Sequence, residues 1–133
     1  MKQTTIARSG RPALAFIGDQ VAESTGRVVN GKEQHRYHDV RLYRTAGGNY
    51  VLEVSYVTDW ADEVGHVWAE EVIPDGLYDI LSAMDPCAHV RGFPPLEKYE
   101  WRQESLMDQI RASWDARVAE IMASAPETAV EVK

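Results

Sequence analysis

Apolar and polar side chains alternate with period two in two adjoining segments, YHDVRLYRT (37–45) and NYVLEVSYVT (49–58). Because successive strand side chains point to opposite faces, Val40 and Leu42 share one face and Asp39 and Arg41 the other. In the second segment Tyr50, Leu52, Val54 and Tyr56 face away from Val51, Glu53, Ser55 and Val57. Ala46, Gly47 and Gly48 supply a short connection, so the pair predicts an antiparallel hairpin. A further strand is expected over His66–Ile73, after the acidic loop DWADEVG, and another over Ala13–Ser24, where Gly18 suggests a bulge or break. Between them, 24–36 is polar and carries Asn30-Gly31, the pair best suited to the positive φ of a tight turn, which predicts an exposed loop or small hairpin.

The period then changes. Leu77, Ile80, Leu81 and Met84 mark one face of a short helix, with Asp75 as the expected cap and Pro86 as the stop. After the connector CAHVRGFPP, neither Pro nor Gly occurs from Leu96 to about Ser124. There Met107, Ile110, Trp114, Val118 and Ile121 form a stripe at three- and four-residue spacing, predicting a long amphipathic helix. Strands first and helices last favour an α+β fold, an antiparallel meander of about four strands covered on one face by the two helices. With 133 residues and a 44% hydrophobic share, one domain is expected over 13–124, between a flexible arm at 1–12 and a flexible tail at 125–133.

Charge adds one feature. The net charge of −7 argues against direct nucleic-acid binding, and the imbalance is local: 8 basic and 4 acidic residues up to Gly48, 6 and 17 thereafter. No Lys or Arg occurs between Arg44 and Arg91. If exposed, Glu53, Asp59, Trp60, Asp62, Glu63, Trp68, Glu70 and Glu71 would form a surface able to receive a basic or nucleic-acid-handling protein. The plainer alternative is a solvated face that keeps the chain soluble. Tyr99, Trp101 and Leu106, off the helical stripe, are a candidate homodimer surface or a cover for the sheet edge.

Catalytic and metal signatures are weak. His35 with His38, and Cys87 with His89, lack the spacings that place ligands on one metal, which leaves surface histidines and one partly buried thiol. Asp85 disfavours a thiolate at Cys87, Glu70 and Glu71 fall on opposite strand faces, and Thr45–Asn49 lacks the Lys and helix start of a phosphate loop. No cofactor is implied. A single cysteine and no long apolar run point to a cytoplasmic protein without a membrane span. A small-molecule site or small enzyme remains the rival, using the uncovered sheet face with His66, Tyr56 or Tyr43.

The segment DVRLYRTAGGNYVLEV (39–54) resembles a group of small uncharacterised bacterial proteins carried on plasmids and other mobile elements. They share its Tyr-Arg-Thr, glycine turn and tyrosine-led strand. The resemblance covers the hairpin and its flanks, and it implies only a context in which accessory proteins bind host or competing-element machinery. Inhibition of a nucleic-acid-binding enzyme by DNA mimicry is one specific form of the acidic-surface reading.

Overall fold

The computed structural model describes residues 1–90 and 100–125, the side chains of 100–103 excepted. The fold is α+β. Five antiparallel strands form a curled sheet in the order β1 (Lys2–Arg8), β2 (Arg11–Thr25), β5 (Arg36–Thr45), β6 (Tyr50–Thr58), β7 (His66–Val72). A separate two-stranded hairpin, β3 (Val28–Val29) with β4 (Lys32–Glu33), interrupts the meander. Asn30 and Gly31, at φ 51° and 77°, turn it, as two-residue loops that match strand twist require.

The first twelve residues, expected to be an arm, instead supply β1 and the start of β2, so the sheet has five strands rather than four. Their Thr, Ser and basic side chains hide a strand whose apolar anchor is Ile6, 5% exposed. The bulge falls at Val21, three residues beyond Gly18: Gln20 pairs with Tyr43 and Ala22 with Leu42, leaving one residue over. That residue reverses the face of everything after it. Leu14 and Phe16 therefore pack with Ile6, Val51 and Ala69 on one face, while Ala22 joins Val40, Leu42, Tyr50, Leu52 and Val54 on the other.

This second face carries the helices. A single 3₁₀ turn, Pro74–Gly76, leads into α1 (Leu77–Ala83), so Gly76 rather than Asp75 occupies the cap, and no side chain bonds there. Leu77 and Leu81 are fully buried. In α2 (Glu100–Ser124), Ile110, Trp114 and Ile121 are buried while Met107 and Val118 are half-buried. Residues 96–99 and 126–133, where the helix start and most of the tail are expected, lie outside the described residues, as does Tyr99 with the side chain of Trp101; Leu106 is half-buried. Ala125 is buried against the core rather than part of a free tail. Each fully buried leucine contributes about 1.5–3 kcal/mol, so the sheet–helix layer carries most of the stability. Among the described residues no helix is long and apolar enough to cross a membrane.

The curl brings the two edge strands together. The Ser9 backbone N–H donates to Val67 O (3.0 Å), the Val67 N–H donates to Ser9 Oγ (2.9 Å), and Arg8 Nη1 donates to Ala69 O (3.1 Å). Edge groups that would otherwise offer a template for another strand are thus occupied. Close approach also fixes Gly18, where a Cβ would collide with the carbonyl of Arg44 across the β2–β5 ladder. Gly18→Ala is expected to cost about 1–3 kcal/mol in urea unfolding. Gly47→Ala, whose Cβ would meet Thr45 Oγ1 at an ordinary contact distance of 3.8 Å, should stay within about 0.5 kcal/mol; equal effects would show that the ladder yields at Gly18.

Candidate functional site

The acidic residues of the long cation-free stretch do not gather on one exposed surface. Glu63 is buried, its Oε2 receiving both Arg36 Nε (2.7 Å) and Nη2 (2.5 Å), and its Oε1 the hydroxyl of Tyr56 (2.7 Å). Burial pushes its carboxyl up, but hydrogen bonds from Arg36, Tyr56 and Thr58 outweigh this and hold it below the usual range. Glu53 is 9% exposed and accepts from Tyr43 Oη (3.3 Å) beside Arg41 (3.6 Å). Glu70 meets both Arg8 and Arg11. Trp68 is half-buried against the helix-side core. Asp59 and Asp62 remain exposed in the loop and Glu71 on β7, with Trp60 46% exposed. Asp59 lies 3.4 Å from His35, and the Arg36 guanidinium sits 5.1 Å from the Trp60 ring centre. Glu53 and Glu63 are thus buried beside arginines that register and loop geometry deliver to them.

The sheet face without helices is filled as well. Phe16 and Tyr43 meet edge-on at 5.3 Å, and Tyr43 packs on the Ile6–Val51–Ala69 cluster. His66 pairs with Tyr56 in the β6–β7 register, which places both on the helix-covered face instead. The small-molecule alternative expects His66 and Tyr56 on the uncovered face; both lie on the helix-covered one.

On that covered face, beside α1 and α2, a pocket of about 160 Å³ opens to solvent. Val54, Tyr56, His66 and Trp68 come from β6 and β7, His38 from β5, and Trp114 from α2. Met84, Asp85, Pro86 and His89, in the segment after α1, complete it. His38 is only 6% exposed, its ring 5.3 Å from Tyr56 and 5.2 Å from Trp114. His66 and His89 stack at 3.9 Å, and Tyr56 lies 6.4 Å from His89. Trp114 is held by donating Nε1–H to Leu81 O (3.3 Å). Asp85 accepts the Cys87 N–H (2.9 Å), which orients its carboxylate.

Burial foremost, then the charges of His89 and Arg117, lower His38 to about 4 against the opposing pull of Asp39. Burial and then His66 lower His89, with Asp85 opposing. Burial and the bond to Glu63 raise the Tyr56 phenol. At neutral pH the pocket therefore presents neutral imidazoles at His38 and His89, each with one donor and one acceptor nitrogen, and an un-ionised phenol. Burial raises the Cys87 thiol, with Asp85 and Asp108 adding to it against Arg111. Among the described residues no group of three or more His, Cys, Asp or Glu is placed to hold a metal ion.

Two participants escape a reading by motif and spacing. Spacing groups His38 with surface histidines, although its place two residues before Val40 on the core face of a strand is a usable signal. Arg117 lies three residues after Trp114 on the buried stripe of α2, is 7% exposed, and donates to Glu120 (3.3 Å), which also accepts from Ser24. Its Nε and Nη1 have no hydrogen-bond partner among the described residues, a cost of about 1–3 kcal/mol. Compared with known proteins, the chain matches no family model, no curated protein and no solved structure.

The depressed value of His38 sets an acid limit. Below the ordinary 6.5 the unfolded chain binds a proton that the fold refuses until about 4, so this contribution is complete above 6.5 and drains away as pH falls. Between pH 7 and 4.5 the loss at this residue is about 2–3 kcal/mol. His38→Gln should lose less stability than the parent over that interval by about this amount in urea titrations; parallel losses would remove His38 as the cause.

Proposed function

We propose that this protein binds a small organic ligand in the pocket between the sheet and the segment following α1. The observation that carries the reading is the convergence of His38, Tyr56, Trp68 and Trp114 on one solvent-open cavity. It supplies apolar walls with a few directed polar atoms, the usual composition of a ligand site. Two features support it further. His38 occupies a core-facing position that a valine or leucine would fill at less cost, and His66 and His89 place ring nitrogens near the opening, since His89 is exposed and His66 half-buried. The volume is close to that of engineered cavities of roughly 150 Å³ that accept benzene, which limits the bound portion to about one ring or one branched head group. In ¹H–¹⁵N correlation spectra, a fragment set of neutral heterocycles, amines and carboxylates should give saturable shifts for the Trp68 and Trp114 indole N–H groups and for the backbone of 84–89. No saturable shift there from any class at millimolar concentration would overturn the reading.

A second reading, recognition of a basic or nucleic-acid-handling protein, is supported by the 59–65 loop. Trp60 and Val64, 46% and 76% exposed, stand beside Asp59 and Asp62. Exposed aromatics rimmed by charge are a common form of contact surface. The triple variant D59K/W60A/D62K should abolish partner capture and leave the melting temperature unchanged; capture equal to that of the parent would sink this reading.

A further inference from the structure

The composition of the same pocket narrows its ligand class. Six of its ten lining residues carry π-systems, and Asp85 is the one Asp, Glu, Lys or Arg among them. The nearby cation of α2, Arg117, is not among the lining residues; its Nη2 bonds Glu120, and its charge is felt at His38. We propose that the ligand is a small organic cation, an alkylated ammonium head group held against the aromatic walls with Asp85 as its counter-charge, an inference that rests on the pocket being a ligand site.

Three features argue for this chemistry. Aromatic rings attract a cation through the negative potential of their faces, and tryptophan and tyrosine do so best. Tyr56 gives its hydroxyl proton to the ionised, Arg36-bound Glu63, and donation to a carboxylate leaves the phenol ring richer in electrons. Asp85 is among the lining residues and has one oxygen committed to the Cys87 N–H, which restricts its carboxylate. An anion would instead meet a carboxylate, with no Lys or Arg among the lining residues to compensate its desolvation. A neutral molecule of the same shape would gain the apolar contacts alone.

The test uses the full chain with choline, its neutral carbon isostere 3,3-dimethylbutan-1-ol and the anion 3,3-dimethylbutanoate, titrated by ¹H–¹⁵N spectra. Choline is expected to bind at least tenfold more tightly than the alcohol, and the anion more weakly than either. Asp85→Asn keeps the oxygen that receives the Cys87 N–H. It should reduce the choline affinity about three- to tenfold, leave the alcohol unchanged and leave resonances distant from the pocket in place. Equal binding of choline and the alcohol, or preference for the anion, would overturn the cation assignment while the pocket reading survives. Absence of binding by all three probes, together with an inert fragment set, would overturn both.

Discussion

One extra residue in β2 determines how this sheet is used. With Val21 left over between Gln20 and Ala22, a single fifteen-residue strand serves one hydrophobic cluster with its first half and another with its second. Without it, Ala22 and Ser24 would turn away from α2, and the strand would lose either the small cluster or the helices. The bulge also adds local twist, in keeping with the curl that carries β1 across to β7. The strand and α2 residues that line the pocket, from His38 on β5 to Trp114 on α2, lie on the face that the second half of β2 helps to build.

The charge asymmetry of the chain is resolved by pairing across its length. Glu23, Arg41 and Glu53 form a row across β2, β5 and β6, with Arg41 3.5 Å from Glu23 and 3.6 Å from Glu53. Arg36 serves Glu63, and Arg8 and Arg11 serve Glu70. Four arginines of the first 48 residues thus meet three of the carboxylates that follow, Glu53, Glu63 and Glu70. Such pairs contribute little where exposed. The Arg36–Glu63 pair is different, since side-chain exposures of 9% and 0% make loss of either partner severe.

The central hairpin, the two helices and the α+β class are legible in the sequence because each repeats a period long enough to stand above composition. The strand β1 is concealed there, since a single apolar residue, Ile6, is the anchor and the rest reads as polar. A run of carboxylates looks alike whether solvated or paired; strand register brings an arginine to Glu53, loop geometry brings one to Glu63, and the approach of β1 and β2 to β7 brings two to Glu70. His66 and Tyr56 are recognisable as site candidates, but which side of the sheet carries the opening depends on how the helices settle. Arg117 is hidden because a polar residue in a helical stripe normally marks its edge, whereas here it lies under the hairpin segment near Gly26.

The closure of β1 onto β7 orders events in time. Residues 8 and 9 find their last partners at 67 and 69, the longest strand-to-strand separation in the sheet. The β5–β6 hairpin needs only a four-residue connection and can form as soon as both strands exist, while the first strand must wait for β7 to be synthesised and folded before its edge is covered. Loop-closure entropy grows only slowly with such length, so the delay is kinetic rather than a tax on final stability. Until that contact forms, the edge of β7 keeps the unpaired backbone groups that another strand can use as a template.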